Sequence, residues 1–160
     1  MFSKILSSIA VVLAAVALYF SIDNRSSELA EDVEQEYPLL QTMGYYQRFS
    51  HKIWLAIENK NWELAEFYAH ELEEVTEEFI ESNVVDEGKN LSTTAAGILM
   101  PAIEKLDEAI DQKDEVLAGQ NFRALIQSCN ACHAINEHAY IRILLPDSVH
   151  IFNQDFNVPN

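Results

Sequence analysis

From Pro38 to about His138 the apolar residues recur every three or four positions, and no stretch alternates with period two. Such a chain buries its apolar residues by packing helix on helix, which places it in the all-α class. The first helix starts at Pro38, a residue suited to a first turn, and carries Leu39, Met43, Tyr46, Ile53 and Ile57, with Ser50 the small residue on that face. Asn59-Lys60-Asn61 interrupts it. Asn61 is a natural N-cap for the second helix, whose buried stripe is Leu64, Tyr68, Leu72, Val75 and Phe79, with Glu66, Glu73, Glu74, Glu77, Glu78 and Glu81 on its solvated face.

A loop over residues 84–90, containing Gly88, leads to a third helix from about Ser92 with Ala95, Ile98, Ala102, Leu106 and Ala109 in register. Pro101 lies inside it and predicts a bend, because the ring would clash with the Gly97 carbonyl; the alternative is a helix starting at Pro101. Lys113-Asp114 is a short turn with Asp114 as cap. The fourth helix then runs to about His138 through Leu117, Ala124 or Leu125, Cys129 and Cys132. Short connections within the first and last pairs predict an up-down-up-down four-helix bundle over residues 38–138.

Residues 1–22 are different material. Lys4 precedes an apolar run from Ile5 to Phe20, extended by Ser21-Ile22, which predicts export by a signal peptide or an uncleaved membrane anchor helix. Ala15-Val16-Ala17 has the small residues of a cleavage site, but Leu18-Tyr19-Phe20 continues the run and favours the anchor, with Tyr19 at the interface. No cysteine follows closely, which excludes a lipoprotein anchor. Residues 23–37 read as an acidic tether. Acidic residues outnumber basic ones 26 to 10, for a formal charge of −16. This excludes a nucleic-acid partner and fits either plain solubility or protein partners with basic docking surfaces. Oligomeric state stays open, a homodimer included.

The only two cysteines stand in Cys129-Asn130-Ala131-Cys132-His133. A thioredoxin-type dithiol belongs at a helix N-terminus, where the dipole stabilises a thiolate, whereas these residues lie late in a helix. A structural zinc needs four ligands, and no other cysteine is present to help. A disulfide within the pair leaves His133 unexplained. Haem attachment accounts for all three: two thiols add to the two vinyl groups of one porphyrin edge, and the next imidazole is the axial ligand. A single covalent haem c is therefore expected.

An exported, acidic four-helix bundle with Cys-x-x-Cys-His in its last helix resembles the class II c-type cytochromes, the cytochrome c prime family and its low-spin methionine-ligated relatives. The resemblance covers about Pro38 to His138 and implies a small monohaem protein of the bacterial periplasm. Residues 1–22, if retained, anchor it to the inner membrane. The resemblance places the family's methionine ligand at Met43. It also shows a departure, since 27 residues follow His133. That C-terminal arm, residues 139–160, holds Tyr140, Ile141, Ile143, Leu144 and Leu145, and Pro146 stops any helix. It reads as an irregular segment covering the core or a haem edge, or docking a partner.

In an antiparallel arrangement the end of the fourth helix lies level with the start of the first, where Met43 sits. His51 is eight residues farther along, about 12 Å away. By the same count His70 falls level with His51, which allows the two to lie close together. His138 shares a helix with His133, Met100 lies well up the third helix, and His150 is in the tail. A di-iron bundle needs Glu-x-x-His on two helices, but only Glu66-x-x-x-His70 comes near it. The expected function is single-electron transfer, not enzymatic catalysis. The alternatives are a five-coordinate protein binding nitric oxide or carbon monoxide beside Met43, and a haem-bearing accessory subunit of a membrane complex.

Overall fold

The structure, a computed structural model, describes residues 37–147. The segment read as a signal or anchor, all of the tether but Tyr37, and the end of the arm lie outside the described residues. Helix α1 spans Leu39–Glu58 and α2 Trp62–Glu81. An antiparallel hairpin follows, β1 Val85–Asp86 with β2 Lys89–Asn90. Then α3 (Leu91–Thr94), a π-helical turn (Ala95–Leu99) and α4 (Met100–Asp111) run on without a break, and α5 spans Glu115–Ile135. The fold is mostly helical, as the spacing predicts.

Helix starts follow the local side-chain chemistry. Asn61 accepts a hydrogen bond from the Leu64 N–H, and Asp114 accepts from both Val116 and Leu117 at 3.0 Å. These bonds satisfy donors that have no partner in the first turn. Helix ends are made differently, with a residue in the left-handed region at Lys60, Asn83, Lys113 and Glu137, φ between 47° and 67°. After α1, α4 and α5 the next N–H reaches back five residues: Asn61 to the Ala56 carbonyl, Asp114 to Ala109, and His138 to His133. After α2 the Ser92 hydroxyl takes over that task, donating to the Phe79 carbonyl and accepting from the Val84 N–H. A chain with four glycines thus ends these four helices on L-residues.

That choice predicts a stability gain. Lys113→Gly should raise the unfolding free energy by about 1 kcal/mol, because glycine enters the left-handed region without the steric penalty of a Cβ. Urea denaturation at constant m-value checks it. Lys60→Gly should gain less, because Lys60 also pairs with Glu115 at 2.7 Å.

Two features differ from expectation. Ahead of Pro101 the helix takes a π turn: the Met100 N–H reaches the Ala95 carbonyl, adding a residue to the turn before the ring. The buried stripe therefore shifts, passing through Leu99 and Ile103 while Ile98 and Ala102 are half-buried. The loop at residues 84–90 is a hairpin pairing Val85 with Asn90 and Asp86 with Lys89. Glu87 and Gly88, both at positive φ, form its turn.

Helix α1 packs on α2, α2 on α4, α4 on α5, and α5 on α1. Between them Ile53, Leu72, Phe79, Ile103, Leu106, Phe122 and Leu125 are fully buried. Tyr37 belongs to this unit, its ring meeting Phe79 edge-on at 5.5 Å. Lys60, between α1 and α2, pairs with Glu115 at the start of α5, while Lys89 of the hairpin pairs with Glu137 just past the end of α5. Among the described residues no helix is long and apolar enough to cross a membrane.

Candidate functional site

Cys129, Cys132 and His133 occupy the last two turns of α5, which ends at Ile135, three residues earlier than expected. Positions three and four apart share one helix face, so the three side chains form a single cluster in sequence register. Both thiols are free. Burial pushes Cys129 up to about 12, and neighbouring Cys132 adds to the rise. Burial raises Cys132 as well, against the opposing effect of the Asn136 amide, whose nitrogen lies 3.6 Å from its Sγ. The negative end of the helix dipole acts in the same direction as burial. These are neutral thiols, which makes them poor nucleophiles for thiol–disulfide exchange. They retain the S–H that thioether formation adds across a vinyl double bond.

From α1, Tyr46 lies within electrostatic reach of both cysteines. Its hydroxyl is buried and has no hydrogen-bond partner. Thr76, whose hydroxyl donates to the Leu72 carbonyl at 2.7 Å, is a polar neighbour but approaches without normal hydrogen-bond geometry. Burial drives the Tyr46 pKa far above the usual phenol range, so the group is neutral. A buried polar atom left without a partner beside two neutral thiols is costly in a closed core. It fits a position that another polar or polarisable group shares. Met43 lies three residues before Tyr46, about 4.5 Å along the axis, half-buried against the core.

His133 is fixed from the other side. Its Nδ1 lies 2.9 Å from the Ile141 carbonyl oxygen. A carbonyl only accepts, so Nδ1 carries a proton, and in the neutral imidazole the lone pair is then on Nε2. Ile141 is part of the arm. The arm leaves α5 through Asn136, whose amide donates to the Cys132 carbonyl, and through left-handed Glu137. Its apolar side chains are divided: Ile143 packs on the core, whereas Tyr140 and Leu144 are exposed.

Of the other histidines, His150 lies outside the described residues. His51 lines a cleft of about 220 Å³ with Gln47, Ile126 and Arg142. His70 pairs with Glu74 at 3.4 Å and has Asp107 of α4 as an electrostatic neighbour. The two have different surroundings, and the sequence expectation that they lie close together gains no support. His138 is held by the Asn136 carbonyl at its Nδ1 and lies against Tyr140. Met100 is half-buried where the π turn meets α4. Among the described residues no three His, Cys, Asp or Glu side chains converge as a metal-binding group.

Sequence reasoning singled out Cys129, Cys132 and His133 from their spacing and did not single out their neighbours Tyr46, Asn130, Asn136 and the Ile141 carbonyl. Only Asn136, an amide near a helix end, leaves a signal that sequence can carry. Two thiols at this spacing, followed by an imidazole whose Nδ1 is engaged by a carbonyl, could hold a haem, Cys129 and Cys132 through thioether bonds and His133 through Nε2. In comparisons with protein-family models, with curated proteins and with solved structures, nothing matches the chain.

Proposed function

We propose that this chain is a periplasmic monohaem c-type cytochrome carrying single electrons between protein partners. The observation that carries the reading is the His133 tautomer: Nδ1–H is engaged by Ile141 and Nε2 is left as donor, immediately after two neutral thiols at the attachment spacing. When bound, haem c supplies a one-electron ferric–ferrous couple. The chain's own residues tether it through Cys129 and Cys132, donate Nε2 of His133, and exclude water with α1 and α5.

The architecture proposed with it is an up-down-up-down bundle like that of the class II c-type cytochromes. The two ion pairs support it: Lys60–Glu115 joins one pair of turns, and Lys89–Glu137 joins the hairpin to the end of α5. In that arrangement Met43 is the sixth ligand, and Tyr46 near both cysteines supports the required proximity of α1. Residues 1–22 export the protein and, if uncleaved, anchor it to the inner membrane. The protein has no catalytic role of its own in this reading.

Partners with basic docking surfaces fit the acidic side of α2 and α4. There, burial and the nearby Asp111, Glu73 and Glu66 push the Asp107 carboxyl up. The test is an absorption spectrum of the protein made in cells equipped for haem attachment. The ferric and ferrous forms should show a six-coordinate, low-spin c-type haem. Protein that emerges colourless from such cells overturns the proposal.

A further inference from the structure

Asn130 fills one of the two spacer positions between the cysteines, where attachment chemistry makes no demand. Its amide nevertheless holds the arm from both sides: Nδ2 donates to the Ile143 carbonyl at 2.9 Å, and Oδ1 accepts from the Ile143 N–H at 2.8 Å. Nδ2 also donates to the Ile126 carbonyl one turn back on α5, which fixes the rotamer. The side chain thus pairs with one arm residue much as a neighbouring strand does. Two residues earlier in the arm stands the Ile141 carbonyl that takes the His133 Nδ1 proton. The Ile141 N–H donates to the His138 carbonyl, so the intervening turn is closed at its other end.

We infer that Asn130 is a positioning residue for His133: by clamping Ile143 it keeps the Ile141 carbonyl on Nδ1, and so sets the tautomer and the donor strength of Nε2. The part concerning iron rests on the haem reading above; the tautomer does not. A carbonyl accepting the Nδ1–H hydrogen bond pushes electron density toward Nε2, and that stronger donor would favour ferric over ferrous iron in a bound haem. Releasing the clamp therefore shifts the reduction potential upward.

Asn130→Ala tests this in the full-length chain, with little risk to the fold, since alanine is the better helix former. In the haem-free protein, nitrogen NMR of His133 should show the Nδ1–H form giving way to a mixture with Nε2–H, and trypsin should cut faster after exposed Arg142. In the haem-loaded protein, the haem should remain covalently attached while its potential rises. Asn130→Asp keeps the acceptor for the Ile143 N–H but loses the donor, and should fall between. Faster cleavage with both the tautomer and the potential unchanged would overturn the inference, because the clamp would then be structural only. A colourless unmodified protein in which Asn130→Ala still moves the tautomer would uphold the positioning role while removing the haem reading.

Discussion

Cys129→Ala with Cys132→Ala should turn a protein that keeps all of its haem through acidified acetone into one that loses all of it. Under the proposed attachment each thiol would contribute one thioether by adding its sulfur and hydrogen across one vinyl group, so either single variant should retain haem through the other bond. The double variant keeps His133 with Nδ1 on the Ile141 carbonyl, so it can still ligate haem without holding it. Alanine is preferable to serine, since Cys129 packs against the core and a hydroxyl there would lack a partner. The lost packing should lower stability by about 1 kcal/mol per site, too little to unfold the bundle. Denaturing gels stained for haem peroxidase activity read the result directly. Complete extraction of haem from the unmodified protein would refute covalent attachment.

Much of the fold was legible because its determinants are side chains acting over one turn. The apolar spacing marked the helices, and Asn61 and Asp114 announced two helix starts by the chemistry of their oxygens. What escaped was set by backbone. Lys60, Lys113 and Glu137 end helices in a conformation that their side chains do not encode. The π turn displaces the buried stripe by one residue, a change a periodic template cannot contain. The hairpin strands are two residues each, too short to show alternation.

The site divides in the same way. Cysteine and histidine carry their chemistry in their identity, so their spacing was readable. The Ile141 carbonyl carries none, since every residue has one. Asn130 matters only because the arm returns to it thirteen residues later. Tyr46 reads as ordinary core from sequence, and only burial without a hydrogen bond distinguishes it.

Met43→Ala should open the iron. The case is geometric: Met43 lies one turn before Tyr46, which is close to both attachment cysteines, and in an antiparallel α1–α5 pair that level is shared with His133. A thioether is a soft donor that favours ferrous iron. Its removal should lower the potential by a sizeable part of the ~0.8 V range over which axial ligands act. It should also abolish the weak near-infrared sulfur-to-iron charge-transfer band and let carbon monoxide bind the ferrous protein readily. The stability loss should be about 1–2 kcal/mol, at the low end for methionine truncation because Met43 is only half-buried. Carbon monoxide binding separates the competing arrangements. An unmodified protein that binds it fast and lacks the band has Met43 packed beside an open iron, and its function is gas binding instead of electron transfer. Survival of the band in Met43→Ala would instead transfer the ligand role to Met100, the other methionine among the described residues.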